Sequence, residues 1–162
     1  MRERTAPCCV RHDHAAAPPA GYIAGPAALS RLPMSPLPYL DHDALLTLTD
    51  EAAHVTQSCT CTKTSLAGWT TLPLSLPDTQ LIEVATLAPP GDAEPTYAEY
   101  HPAGTRYASD DAPIAPRHFP YNRCTVSRCR TCGRLFLRYQ EGGGYFIDQR
   151  IRALDPALVV DA

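Results

Sequence analysis

Residues 124–138 have the sequence CTVSRCRTCGRLFLR, in which Cys129 and Cys132 are separated by two residues and Gly133 follows directly. Two thiolates at this spacing on a tight turn can hold one metal ion, and a glycine lets the chain fold back beside the metal. The residues on either side of this turn have the composition of β-strands. The stretch therefore predicts a knuckle between two strands that supplies half of a metal site.

Alternating side chains extend this knuckle into a sheet. Polar and apolar residues alternate over 134–139 and over 145–152, and the glycine-rich turn 141–144 joins the two runs. Together with residues 123–128, these runs predict a three-stranded antiparallel meander. The pattern places Arg134, Phe136 and Arg138 on a solvent face. It places Leu135, Leu137 and Tyr139 on the opposite face, and it places Tyr145, Ile147 and Ile151 together on one face of the next strand.

A helix is predicted before the sheet. Asp41 and Asp43 are favourable N-cap residues, and four apolar residues follow them at helical spacing: Leu45, Leu48, Ala52 and Val55. A competing interpretation makes residues 44–49 a strand, because leucine and threonine alternate there. We prefer the helix.

The middle of the chain gives weaker signals. Residues 57–64 are rich in Thr and Cys and predict a strand or a knuckle, whereas residues 66–77 contain Trp69 and predict an ordered loop. Residues 81–87 predict a strand or a short helix. Residues 97–120 are dominated by Tyr, Pro, Asp and His and predict a long irregular segment. The expected fold class is α+β, with one domain over residues 39–162.

The N-terminal part differs in composition from the rest. Residues 1–38 contain seven prolines, many alanines and no hydrophobic period, which predicts a disordered tail. Met34 offers a second interpretation, in which translation starts there and the preceding residues are not part of the protein.

Seven cysteines, an odd number, point to metal binding more than to disulfides. Zinc prefers four soft ligands in a tetrahedron, and two separated pairs supply them: Cys59, Cys61, Cys129 and Cys132. A local alternative combines Cys129 and Cys132 with Cys124 and either His118 or His54. Two further alternatives stay open, namely metal-free structural thiols and a redox-active pair. A redox Cys-x-x-Cys opens a helix in a βαβ unit, whereas this one lies in a β meander.

Charge is distributed unevenly along the chain. The net charge is −3, but residues 117–152 contain eight arginines against only Glu141 and Asp148. Seven of these arginines, interleaved with aromatic residues, could form a face that binds single-stranded nucleic acid: Arg123, Arg128, Arg130, Arg134, Arg138, Arg150 and Arg152. Arginines at alternate positions of a strand are also the ordinary solvent side of a half-buried sheet. We expect them to meet a protein or to pair with the chain's own carboxylates.

The sequence lacks the motifs that are typical of several classes of enzyme and nucleotide-binding protein. The sequence contains no G-x-S-x-G, P-loop or H-E-x-x-H motif. His101, His118, Asp110 and Asp111 lie where an active site could form, but no catalytic residue is predicted. No run of about 20 apolar residues predicts a membrane span, and no secretory signal is evident. The expected compartment is the cytoplasm, where thiols stay reduced.

The segment from the knuckle to Asp155 resembles the metal-binding hairpin of zinc-ribbon proteins. The Cys129-x2-Cys132-Gly133 motif, with Gly143-Gly144-Tyr145 and Arg150-Ile151-Arg152 after it, also resembles the C-terminal part of small uncharacterised bacterial proteins. The resemblance covers about the last quarter of the chain and implies no activity. By analogy of size and acidity, toxin-neutralising immunity proteins are one class to consider.

The expected function is therefore non-catalytic zinc binding together with binding of a partner protein. Binding of single-stranded nucleic acid through the arginine and aromatic face is the first alternative. A redox or hydrolytic enzyme with an unidentified site is the second.

Overall fold

A computed structural model describes residues 36–91 and 94–162. It contains one α-helix, α1, and a five-stranded antiparallel sheet in the order β1-β5-β4-β3-β2. The α+β class is therefore confirmed. The elements are α1 His42–Ala52, β1 Thr70–Thr71, β2 Leu81–Thr86, β3 Thr125–Cys129, β4 Leu135–Gly142 and β5 Ile147–Ala153. Four 3₁₀ turns complete the regular structure: Thr60–Thr62, Asp78–Gln80, Tyr121–Arg123 and Pro156–Leu158.

The prediction of a disordered tail, and that of a start at Met34, fall on residues 1–35, outside the described residues. Within the described part, Pro38 already belongs to the fold, because its carbonyl accepts a hydrogen bond from Thr86 N at 2.9 Å. The division into a tail of 1–38 and a domain of 39–162 stays a prediction.

Helix α1 forms where the sequence predicted it. The side chain of Asp41 accepts a hydrogen bond from Ala44 N at 2.9 Å and so satisfies one of the free N–H groups of the first turn. Leu45 is fully buried against the sheet. The strand interpretation of residues 44–49 is wrong, since they form the centre of α1, and Val55 lies beyond the end of the helix.

The three predicted strands are present as β3, β4 and β5, with shifted ends. The structure adds β2, where a strand or short helix was expected, and the short β1 inside the predicted loop 66–77. The hairpin turn was placed too early, because Glu141 and Gly142 belong to β4. Of the two alternatives for the segment 57–64, the strand is wrong and the knuckle agrees with the structure, because the segment contains the 3₁₀ turn Thr60–Thr62.

Both faces of the sheet are covered, which corrects the predicted solvent face. Phe136 is buried, and Ile151 packs with it on the face opposite to Leu137. Of the three residues predicted to lie together, Ile151 is buried, whereas Tyr145 and Ile147 are exposed at the hairpin end. A strict polar-apolar alternation applies only to a sheet with one wet face, and this sheet has apolar cover on both.

Two apolar clusters result. The main core lies on the α1 side and includes Leu45, Trp69, Ala85, Leu87, Ile114, Tyr121, Cys124, Val126, Leu135, Leu137, Tyr139 and Leu154. The second core lies on the other side and includes Cys61, Leu66, Leu76, Leu81, Cys129, Phe136 and Ile151. Two cysteines are thus part of the second core, so the packing of that core and the position of their sulfur atoms depend on each other.

The irregular segment 97–120 is anchored by buried side chains. Tyr107 stacks on Trp69 with ring centroids 6.2 Å apart. Arg152 is fully buried and donates to the carbonyls of Ala67 and Ala112, both at 2.8 Å. It donates further to the carbonyl of Asp110. Arg152 therefore ties two loops to β5 through neutral acceptors.

Candidate metal centre

The turn between β3 and β4 presents Cys129 and Cys132. Cys129 ends β3 and its N–H donates to Arg134 O at 2.8 Å, while Gly133 N donates to Cys129 O at 2.8 Å. Gly133 has φ +85°, a left-handed conformation that glycine adopts without the steric cost of a Cβ. The chain therefore reverses tightly enough to bring the two thiols to the same side.

A second turn presents Cys59 and Cys61. The carbonyl of Cys59 accepts from Thr62 N at 3.1 Å and from Thr62 Oγ1 at 2.8 Å, which closes the 3₁₀ turn Thr60–Thr62. Cys61 is buried and Cys59 is partly exposed. In an extended chain, side chains two positions apart are about 7 Å apart. The turn instead brings the Cys59 and Cys61 Sγ atoms within 4.8 Å of each other.

The two turns face each other, and all four Sγ atoms lie within 4.8 Å of one another. Two separations between the turns are 3.7 Å for Cys59–Cys129 and 3.5 Å for Cys61–Cys132. Four sulfurs at the usual zinc distance of about 2.3 Å, arranged as a tetrahedron, are about 3.8 Å apart. The donor set and its spacing fit one tetrahedral metal ion.

Gln80 lies against two of the sulfurs. Its Nε2 is 3.4 Å from Cys59 Sγ and 3.3 Å from Cys129 Sγ, and its Oε1 accepts from Thr60 Oγ1 at 3.0 Å. In this orientation the N–H end of the amide faces the sulfurs, and thiolates, which only accept hydrogen bonds, require that end. Gln80 therefore offers N–H donors where negative charge would accumulate on thiolates.

Arg134 lies on the other side of the centre. Its guanidinium donates to Gln57 O at 2.7 Å and to Val55 O at 3.1 Å. The neighbouring Cys132 raises the pKa of Arg134 by accepting a hydrogen bond. A fixed positive charge next to the cluster stabilises thiolate ligands.

The environment favours ionisation of part of the cluster. Burial raises the pKa of Cys129, but hydrogen bonds from Gln80 and from backbone N–H groups of the turn outweigh it and lower this pKa to about 6. A backbone hydrogen bond from Cys61 lowers the pKa of Cys59. Burial raises the pKa of Cys61. Since metals bind thiolates, Cys129 is the cluster's most readily available ligand.

The structure brings together the four cysteines of the first predicted ligand set; that they bind a metal stays a prediction. The alternative ligands lie outside this cluster. Cys124 is fully buried in the main core, where its Sγ donates to Pro120 O at 3.3 Å, and burial raises its pKa. The His118 ring packs against Tyr100, and His54 is exposed after the end of α1.

The sequence signals account for the four cysteines but not for Gln80 or Arg134. Gln80 lies in the turn before β2, far from either cysteine pair along the chain, and a glutamine there has no recognisable signature. Arg134 was interpreted as part of a solvent face. Its position next to a predicted ligand, two residues after Cys132, was the only available hint.

The arginines do not form an open basic face. Arg128, Arg138 and Arg150 each lie within 3.3 Å of a carboxylate oxygen. Arg123 lies 4.0 Å from Glu94 and stacks over the ring of Tyr97. Among the eight arginines of residues 117–152, Arg117 and Arg130 are exposed, and Arg117 lies 2.9 Å from Asp161. Most of the positive charge is therefore paired within the fold.

One chemical relay was not predicted. His101 Nε2 lies 2.8 Å from Glu99 Oε2, and His101 Nδ1 lies 3.0 Å from Thr105 Oγ1. This is the order of a carboxylate–imidazole–hydroxyl triad, but catalysis also needs donors placed for an oxyanion. All three residues belong to one short loop and line none of the three cavities identified in the described part of the chain. We interpret the relay as holding the turn 99–105.

A cavity of 470 Å³ lies between the end of α1 and the Cys59–Cys61 turn. Its wall includes Cys61 and the two charged residues Arg134 and Asp155. Both side chains already bond to backbone groups. Arg134 donates to Gln57 O, and Asp155 Oδ1 accepts from Ala157 N at 2.9 Å. The cavity thus has the size of a small-molecule site, but its charged groups are engaged by the protein itself.

Comparisons with protein-family models, curated proteins and solved structures find no match to this chain. Over residues 36–91 and 94–162, no helix combines the length and the apolar character needed to cross a membrane.

Proposed function

We propose that this chain is a non-catalytic protein-binding domain in which one zinc ion joins the Cys59–Cys61 turn to the end of the sheet. The observation that carries the proposal is the convergence of four Sγ atoms within 4.8 Å. The two turns are 70 residues apart in sequence. A metal ion that joins them closes a large loop and stabilises the folded chain.

The donor set supports zinc in a structural role. Four thiolates complete a tetrahedral zinc ion and leave no open position for water or substrate, which a catalytic zinc requires. All five cysteines of the described part are free thiols. The proposal places the domain in a reducing compartment such as the cytoplasm, because thiolate ligands must not be oxidised.

A protein partner agrees with the surface better than a nucleic acid does. Four of the candidate arginines, Arg123, Arg128, Arg138 and Arg150, pair with carboxylates. Arg134 and Arg152 donate to backbone carbonyls. Large apolar side chains are exposed instead, at the end of the β4–β5 hairpin. Toxin neutralisation is one such protein-binding role and stays a prediction by analogy.

The zinc proposal is tested by metal analysis of the purified full-length chain. We expect about one zinc per chain, with the same value after Cys8 and Cys9 are replaced by serine, which removes the N-terminal thiols. Cys129→Ser and Cys59→Ser should each abolish stoichiometric binding. Cys124→Ser is the matched control. The Cys124 thiol lies in the main core, away from the cluster, so this variant should still bind the metal.

Cobalt(II) provides a second readout, since tetrahedral thiolate coordination gives a characteristic absorption spectrum. The proposal is wrong if the parent chain takes up neither zinc nor cobalt when reduced and loaded, while Cys129→Ser melts at the same temperature as the parent. Loss of metal in Cys124→Ser with retention in Cys59→Ser would point to the local ligand set instead.

A further inference from the structure

The β4–β5 hairpin extends beyond the body of the domain. Tyr139 is the last buried residue of β4, and the strand continues for three residues to Gly142. At about 3.4 Å per residue this is an arm of roughly 10 Å. On the returning strand, burial resumes only at Ile151 and Arg152. The end of the hairpin therefore stands clear of both cores.

The tip of this arm, residues 143–147, is apolar and exposed. Tyr145 is fully exposed, and Phe146 and Ile147 are 63% and 68% exposed. Three consecutive large apolar side chains in water are costly unless another surface covers them. Tyrosine and phenylalanine are also the residue types enriched at the buried centre of protein interfaces.

The tip is ordered before any partner binds. Gly143 N donates to Phe146 O at 2.8 Å and closes the turn. The Phe146 ring lies over Gly143 so closely that a Cβ there would be only 3.0 Å from Phe146 Cε1. Glycine is thus what allows the ring to lie on the turn. A side chain already held in one position loses less entropy on binding.

Charges at the base of the arm indicate what the partner offers. Arg150 Nε lies 2.6 Å from Glu141 and 3.3 Å from Asp148, so one guanidinium is shared by two carboxylates. The base therefore carries one excess negative charge. Anionic lipid surfaces and nucleic acids attract free Lys and Arg, whereas a protein pocket with a basic rim complements this arrangement.

We propose that the tip 143–147 inserts into an apolar pocket, rimmed by Lys or Arg, on a partner protein. Phe146 and Ile147 fill the pocket, and Tyr145 supplies apolar area together with a hydroxyl that can bond at the rim. The carboxylates Glu141 and Asp148 face the basic rim. This inference rests on the protein-binding part of the proposed function and not on the zinc centre.

The test uses site-specific photocrosslinking in the source cells. The full-length chain carries the photoreactive amino acid p-benzoylphenylalanine at Tyr145 or, as a matched control, at Tyr97, which is 64% exposed on another loop. We expect one heterologous protein to be captured from position 145 and not from position 97. The captured protein is then purified and titrated with the parent chain, Phe146→Ser and Ile147→Ser.

We expect each serine variant to weaken the reconstituted complex about tenfold or more, as for anchor residues, with unchanged metal content. The inference is overturned if neither variant shifts the affinity by more than about twofold. It is also overturned if position 145 captures nothing or only a second copy of the chain. A third contrary result is that the parent binds phosphatidylglycerol vesicles and the tip variants do not. Capture from position 97 alone would show that the tip is not the binding surface, but it would still support a protein partner that binds elsewhere.

Discussion

At the scale of single residues, Gln80 is the side chain on which the thiol cluster most depends. Its Nε2 approaches Cys59 and Cys129 together, and Thr60 orients the amide by donating to Oε1. Four thiolates around a divalent ion leave two negative charges in a partly buried site. Hydrogen bonds to the sulfurs reduce that charge, so Gln80 should strengthen metal binding without touching the metal.

We predict that Gln80→Ala lowers zinc affinity by about 10- to 100-fold, the range typical of residues that hold metal ligands. Thr60→Val should produce a smaller loss, since it removes only the orientation of the amide. Competition with a chromophoric zinc chelator measures both. Gln149→Ala, an exposed glutamine on β5, is the control, and a Gln80→Ala affinity within twofold of it would contradict the role.

The four clustered cysteines could be proposed as one set from the sequence, whereas Gln80 could not. Cys129, Cys132 and Gly133 lie within five residues, and their geometry follows from a single turn. The requirement of zinc for four ligands allowed Cys59 and Cys61 as the second pair, but it equally allowed Cys124 with His118 or His54. The position of Gln80 results from packing of the 3₁₀ turn Asp78–Gln80 against both cysteine turns at once, and nothing local in the sequence encodes this contact.

At the scale of elements, the β3–β4 turn depends on the backbone conformation of one residue. Gly133 has φ +85°, and its N–H closes the turn on Cys129 O. A Cβ there would have room, with Val55 Cγ2 at 3.8 Å. The constraint on this residue is therefore conformational and not a matter of space.

We predict that Gly133→Ala lowers the free energy of unfolding by roughly 1–2 kcal/mol, the cost of a left-handed residue with a side chain. Denaturant unfolding of the metal-loaded chain measures it. Gly144→Ala is the matched control, because a Cβ there meets nothing within 4 Å and no positive φ is required. Equal stability of the two variants would show that the turn tolerates a side chain.

The sheet also shows where alternation stops being informative. The β4 pattern correctly placed Leu135, Leu137 and Tyr139 on a buried face. It failed for Phe136, because the loop 66–76 and the cysteine turns cover the second face. The alternation of β5 failed for Arg152, which was expected at the surface but is fully buried among backbone carbonyls. Loops that are distant in sequence bury the second face of the sheet. The residues of a strand alone do not predict this burial.

At the scale of the whole molecule, the uneven charge of the sequence is largely neutralised by folding. The arginine-rich segment 117–152 lies beside carboxylates from α1 and from the turn before β2: Glu51 pairs with Arg128, and Asp78 pairs with Arg138. Arg150 is shared by two carboxylates on its own hairpin. Ion pairs of this kind leave little field at a distance, so the basic segment should not attract a polyanion.

We predict that the parent chain does not bind a single-stranded oligo-dT measurably at physiological salt. A protein that neutralises phosphates loses affinity with salt at a log–log slope of roughly 0.7 per contact on single strands, and here few arginines are free to make contacts. Fluorescence anisotropy over a salt series measures both affinity and slope. Glu51→Gln combined with Asp78→Asn frees Arg128 and Arg138, so that variant should gain weak, salt-sensitive binding at low ionic strength. Tight binding by the parent with a steep slope, reduced in Arg130→Gln, would instead favour the nucleic-acid alternative.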